Sequence, residues 1–247
     1  MGEAVSENGY LITLTERRLV AEGTMAFYFD KPSQFVFTPG QFVDLTLPHP
    51  SETDAEGDSR AFSIASAPQE STLMVATRLR DTAFKRELQR MPLGSTVRME
   101  GPFGKLVLHA DQTRPAVFLA GGMIGITPFR SMVVQAAMQQ SPHPIVLFYS
   151  NRRPEDAPFL EELQALQDKN PHYRFVGTMT EPAKSSRPWQ GETGYLNAAL
   201  LSKHLGTVEK PIYYVVGPPS MVAALRTMLK EAHIEDSDIR TEKFAGY

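Results

Sequence analysis

The feature that most restricts the folds open to this chain is a change of hydrophobic period near residue 114. Up to about Leu108 the apolar residues come in short strand-like runs, YLITLTERRLV, TMAFYFD, QFVDLTLP, RAFSIAS, LMVATRL and TVRMEGP, separated by turn signals such as TPGQ and MPLGS. Six short strands at that spacing predict a closed or nearly closed antiparallel β-barrel. One helix interrupts them, DTAFKRELQRM, with Phe84, Leu88 and Met91 at helical spacing and Thr82 near its start. From about Arg114 the apolar runs become continuous, AVFLAGG, IVLFYS, YRFVGTMT and IYYVVGP, as in strands covered on both faces. Helical segments alternate with them: TPFRSMVVQAAMQQ, PEDAPFLEELQALQDK, NAALLSKHL and SMVAALRTMLKEAH, before a last strand in DIRTEKF. That alternation predicts a three-layer α/β domain with a parallel, Rossmann-like sheet of right-handed crossovers. The polar, proline-bearing HADQTRP marks the join, so the expected domains are 1–110 and 111–247.

Composition narrows the function classes. The 247 residues suffice for two cores, and 25 basic against 28 acidic residues leave a net charge of -3, which gives no field for nucleic acid or an anionic membrane. No residue is a cysteine, which excludes a disulfide scaffold, a thiolate metal site and a Cys-ligated iron–sulfur cluster on these residues. His49, His109, His143, His172, His204 and His233 have no metal-ligand spacing, so no metal site is expected and the histidines read as structural. No apolar run nears the roughly 20 residues that span a bilayer, and a cytoplasmic monomer is the default expectation. MGEAVS also fits the loose Gly-x-x-x-Ser myristoylation pattern. The acidic HPSETDAEGDS reads as a solvated excursion, with partner docking as the alternative; Arg86 and Arg90 read as a solvated face.

Three loops carry the chemistry of the second half. In LAGGMIGITPFR, Gly121, Gly122 and Gly125 permit close backbone approach to a pyrophosphate, Thr127 can cap the following helix and Pro128 fits its first turn. The stretch matches the dinucleotide fingerprint only in part, and a plain tight turn is the alternative. In YSNRRPEDAPF, Ser150, Asn151, Arg152 and Arg153 stand where an acid would read the ribose of NAD, and arginine pairs with the 2′-phosphate of NADPH. In YVVGPPSMV, Gly217, Pro218 and Pro219 form a rigid elbow at the same sheet edge, so the three loops frame one crevice.

TPGQF, RAFSIAS, GPFGKL, AGGMIGITP, YSNRRPEDAPFLEEL and VGPPSM, closed by FAGY, occur in an order that resembles the ferredoxin-NADP reductase superfamily of FAD-dependent NAD(P)H oxidoreductases from about residue 10 to 247. The resemblance implies an FAD-binding barrel followed by an NAD(P)-binding α/β domain. It implies that Arg60 pairs with the FAD pyrophosphate, Phe62 packs on the flavin or its ribityl chain, and Ser63 hydrogen-bonds near flavin N5, with Ile64 and Arg78 beside them. The family's Gly-x-x-Ser helix start appears as Thr82, Ala83, Phe84 and Lys85, without the glycine. Gly122, Gly125, Thr127, Asn151, Arg152, Gly217, Pro218 and Met221 would hold NADPH or NADH. Glu242, Phe244 and Tyr247 would lie over the flavin, with Ser63, Glu242 and Tyr247 as the candidate catalytic set. Val216 replaces the cysteine that many members place beside the nicotinamide.

The implied activity is hydride transfer from NAD(P)H to FAD, with electrons passed to a separate acceptor such as a ferredoxin, another redox protein or a small molecule. A free-flavin reductase and a non-catalytic flavin- or nucleotide-binding electron-transfer subunit are the alternatives.

Overall fold

The computed structural model of the protein describes residues 5–6, 9–206 and 208–244. Its first sheet holds β1 (Val5–Ser6), β2 (Gly9–Ala21), β3 (Thr24–Asp30), β4 (Phe42–Thr46), β5 (Ser59–Ser63), β6 (Thr72–Arg78) and β7 (Thr96–Phe103). The order is β5-β4-β7-β2-β3-β6, with β1 added to β2 and every pairing antiparallel. The two ends of that path meet where the Ala65 amide donates to the Met74 carbonyl at 2.8 Å, which leaves a nearly closed barrel. Period-two alternation sets its core: Ile12 and Leu14 are buried with Phe27, Val43 and Val97, while Leu11, next to Ile12, is exposed. Between β6 and β7 lies α1 (Ala83–Arg90), whose Thr82 cap accepts the Lys85 amide at 3.4 Å and whose Phe84 and Leu88, one turn apart, enter the same core.

The second sheet is parallel throughout. Its strands are β8 (Ala116–Gly121), β9 (Ile145–Asn151), β10 (Tyr173–Met179), β11 (Glu192–Thr193), β12 (Ile212–Gly217) and β13 (Ile239–Lys243), in the order β11-β10-β9-β8-β12-β13. Helices α2 (Thr127–Met138), α3 (Leu160–Ala165), α4 (Ala198–Leu205) and α5 (Pro219–Glu231) cover it. Phe118 and Ala120 of β8 pack on one face with Phe129 and Leu163, whereas Val117 and Leu119 pack on the other with Leu201 and Val222. Both faces are therefore dry, which is why β8, β9 and β12 are uninterrupted apolar runs. The chain builds outward from β8 through β9 and β10, then returns to set β12 on its other side. That reversal is the topological switch point at which open parallel sheets form their crevice, at the C-terminal ends of β8 and β12.

Two local expectations change. The helix expected over 154–169 is broken into a 3-10 turn at Pro154–Asp156, α3, and a second 3-10 turn at Leu166–Asp168. Ala157 is extended ahead of Pro158, and Phe159 adopts left-handed backbone at φ 60°, so no continuous helix can form there. The two-residue β11 is too short to leave a periodic signal.

The two sheets are tied by polar links. The Arg130 guanidinium of α2 reaches the barrel at the Ala65 carbonyl (2.7 Å) and at Glu70 (3.0 Å), and Ser131 donates to the Ser66 carbonyl at 2.7 Å. Arg153 reaches Glu22 at 2.7 Å. In the connecting segment, His109 Nε2 and His143 Nε2 lie 2.8 and 3.1 Å from the Arg114 carbonyl, to which both donate, so His109 Nδ1 accepts from the Tyr214 hydroxyl at 2.9 Å. Burial pushes both imidazoles below their ordinary pKa, consistent with the structural role expected of them.

Candidate active site

RAFSIAS links two environments. Arg60 on β5 holds its guanidinium 5.2 Å from the centre of the Phe84 ring. Its nitrogens donate to Asp54 at 2.8 Å and Glu56 at 3.1 Å, and to the carbonyls of Glu56, Gly57 and Ser59 at 3.0, 2.9 and 2.8 Å. The acidic segment between β4 and β5 is therefore no free excursion: it folds onto the cation that ends it. Its Glu52 pairs with Arg86, which also pairs with Asp81, and lies 3.6 Å from Arg90, so this face carries ion pairs while Arg90 stays exposed as expected. The sequence signal was available, because Asp54, Glu56 and Asp58 lead directly into Arg60.

Phe62 differs from its expected place. It packs in the barrel core 5.8 Å from Phe84, itself buried, and presents no ring to the surface. Both alternate inward from strand and helix, and the apolar interior takes them. Ser63 points the other way: its hydroxyl is buried and has no hydrogen-bond partner among the described residues. Ile64 is fully buried with its amide on the Gln41 carbonyl. Arg78 ends β6 and, with Arg80 and Arg60, adds to the positive field around Lys85. Burial first, then those three arginines, depresses the Lys85 ammonium pKa.

At the crevice, Gly122 and Met123 both have positive φ, 69° and 65°, and turn the chain from β8 into a 3-10 turn at Ile124–Ile126. A Cβ on Gly125 would lie 2.7 Å from the Val216 carbonyl, and one on Gly121 would strike the Met221 sulfur at 2.4 Å. Close loop-to-loop approach thus demands Gly125, and Met221 wedges between Gly121 and Gly217. Thr127 does not cap α2: it is the first helical residue and turns its hydroxyl back to the Ile124 carbonyl at 2.9 Å. Asn151 ends β9 and accepts the Met123 amide at 3.3 Å, while its amide nitrogen is buried without a partner among the described residues. The other buried side-chain atoms without partners, on Thr24, Gln135 and Tyr173, lie outside these motifs. Arg152 is exposed, and Arg153 is committed to Asp156 and Glu22.

Pro218 caps α5, which starts at Pro219, and the Phe244 amide donates to the Gly217 carbonyl at 3.1 Å, which fastens the tail to the crevice. Glu242 is level with Val216 across β12 and β13, and burial raises its carboxyl pKa. Val216 itself is fully buried, with its side chain in the cluster under α2 and not at the crevice. Tyr247 lies outside the described residues.

Comparison with known proteins agrees with this geometry. Residues 118–227 match the model of the oxidoreductase NAD-binding domain. The chain is 29% identical over 244 residues to the toluate 1,2-dioxygenase electron transfer component of Pseudomonas putida, covering 96% of this chain and 68% of that one. It is 29% identical over 219 residues to ferredoxin--NADP reductase B of Sorangium cellulosum, covering 85% and 86%. A crystal structure of a ferredoxin NADP+ reductase from Neisseria gonorrhoeae superposes with a TM-score of 0.76 at 23% identity, covering 96% of this chain and 99% of the other, so the whole two-sheet arrangement is shared. The chain belongs to the ferredoxin-NADP reductase superfamily. The chain spans 66%, 60% and 49% of other curated relatives, two oxygenase electron-transfer or reductase subunits and a quinone reductase subunit. The donor set suits the superfamily's cofactors. An unpaired buried hydroxyl on the barrel segment and an unpaired buried amide on the crevice are groups that a flavin and a nicotinamide nucleotide would satisfy.

Proposed function

We propose that this chain binds FAD on the barrel, NADH or NADPH at the crevice, moves hydride from nicotinamide to flavin and passes electrons to a separate acceptor. The observation that carries the reading is the pair of orphaned buried polar atoms, Ser63 Oγ and Asn151 Nδ2, one in each of the two segments whose motifs match the superfamily. Flavin, when bound, supplies the junction between two-electron and one-electron chemistry.

The protein's own groups bind and orient. Ser63 offers a small hydroxyl to the ring, and Arg60 with the first turn of α1, where Thr82 and Ala83 stand, faces the phosphates. Gly121, Gly122, Gly125 and Gly217 let backbone amides approach the nucleotide, Asn151 donates to it, and Arg152 is the cation available for a 2′-phosphate. Met221 and Pro218 shape that wall. Glu242, its carboxyl pKa raised by burial, serves as polarity or proton partner, with Phe244 tied beside it. Tyr247, three residues on, is assigned to cover the ring.

We divide the chain at 110/111 and place it in the cytoplasm as a monomer; among the described residues no helix is long and apolar enough to cross a membrane. Relatives named as dioxygenase electron transfer components favour an oxygenase or its redox carrier as acceptor. With no cysteine in these residues, a Cys-ligated cluster would come from outside them. Free-flavin reduction is the second reading, favoured by the occupation of Arg60 by its own loop.

Titrating the flavin-free protein with FAD, read by flavin fluorescence, tests the binding step. The expected result is saturation at one FAD per chain with weaker binding for Ser63→Ala; absence of saturable binding refutes the reading.

A further inference from the structure

Within the FAD-binding reading, one contact has a consequence for which flavin the chain takes. The Asp54 carboxylate sits on the Arg60 guanidinium at 2.8 Å and accepts the Glu56 amide at 3.0 Å, beside the start of α1 at Ala83. Burial works against its charge, but those donors outweigh it and hold the carboxyl below its ordinary pKa. A guanidinium beside the start of a helix is a setting that recognises phosphate. Here a carboxylate of the chain already holds it.

We propose that Asp54 is an internal occupant of the pyrophosphate subsite, displaced when FAD binds, and that it sets the chain's discrimination between phosphorylated flavins and riboflavin. Three observations support displacement. The cradle is fixed and the occupant is peripheral: Arg60 is 18% exposed and packed over Phe84, whereas Asp54 is 31% and Glu56 75% exposed, on a segment without helix or strand. Cations gather beside it, since Arg80, Arg60 and Arg78 all act on Lys85. Three residues along the same strand, the Ser63 hydroxyl is buried and unsatisfied among the described residues. A dianionic pyrophosphate would take Asp54's place on Arg60 and release the loop. Riboflavin, having no phosphate, would leave Asp54 in place.

The test compares wild type with Asp54→Asn, which keeps the shape and removes the charge, and with Glu56→Gln as a second lesion of the same contact; far-UV circular dichroism checks folding. FAD, FMN and riboflavin are titrated by fluorescence, and inorganic pyrophosphate is scored by the thermal shift it produces. The expected result is FAD binding about tenfold tighter in Asp54→Asn, about 1.4 kcal/mol, FMN tightened less, riboflavin unchanged, and a larger pyrophosphate shift in the variant. Equal FAD affinity in both proteins, or equal tightening of FAD and riboflavin, overturns the proposal while FAD binding stands. If no flavin binds but the pyrophosphate shift still grows in Asp54→Asn, the FAD reading fails and the anion subsite stands. If the pyrophosphate shift does not change, the subsite is refuted.

Discussion

Replacing Arg130 with methionine should be the most damaging single polar-to-apolar change at the junction of the two domains. Every guanidinium N–H has a partner: Nε and one terminal nitrogen bond Glu162 at 2.9 and 2.5 Å, and the terminal nitrogens also reach Glu70 at 3.0 and 3.1 Å and the Ala65 carbonyl at 2.7 Å. The side chain is 7% exposed and lies 5.0 Å from the centre of the Phe159 ring. Burial opposes the charge, but the two carboxylates outweigh it and raise the guanidinium pKa. Removing one partner of a buried ion pair costs about 3–5 kcal/mol. Glu70 and Glu162 are 28% and 38% exposed and can rehydrate, so the low end applies, about 3 kcal/mol. That lowers the folding constant by a factor of about 150. Arg130→Lys keeps the charge but loses the fork, and should cost about half as much. Arg86→Met, at a pair whose Asp81 is 89% exposed, should cost far less than Arg130→Met. Urea unfolding followed by circular dichroism decides: a loss below about 1 kcal/mol for Arg130→Met would refute the clamp.

Other expectations follow from the crevice and the connecting segment. Gly125→Ala should cost about 1–3 kcal/mol and weaken nicotinamide-nucleotide binding, because its Cβ meets the Val216 backbone, whereas Gly121→Ala meets only the flexible Met221 and should cost less; calorimetric titration with NADPH and NADH ranks them. Glu242 has a raised folded pKa, so its stability contribution is present below the unfolded value of about 4.5 and is lost as pH rises through the folded value; Glu242→Gln should flatten that loss in a pH series of denaturation midpoints. His109 and His143 have depressed folded pKa values, so the stability they contribute is present above about 6.5 and falls as pH drops through the folded values. His109→Gln should shrink that acid loss, and an unchanged pH profile would contradict the buried neutral pair.

The fold was legible because its signal is periodic. Six alternating runs and four continuous ones encode the barrel and the doubly covered sheet directly, through whether one face or both must be dry. The crevice was legible for a related reason: Gly125 and Gly217 stand in the loop after β8 and at the end of β12, where a Cβ would meet the facing backbone. Pairings between distant charges were not legible. Nothing in the spacing ties Arg130 to Glu70 or Asp54 to the start of α1, because such contacts depend on how separate elements dock. Side-chain direction failed at single positions for local reasons: Phe62 and Val216 follow the strand alternation into their cores, and Thr127 turns inward because the 3-10 turn before it leaves the Ile124 carbonyl within reach.

The most direct test of hydride transfer is the anaerobic visible spectrum of the FAD-loaded protein in a stopped-flow mixer, with NADPH in one experiment and NADH in the other. Rapid bleaching of the flavin band by at least one nucleotide, slowed in Gly125→Ala, is the result expected here. An FAD-loaded protein whose band neither nucleotide bleaches would contradict the account.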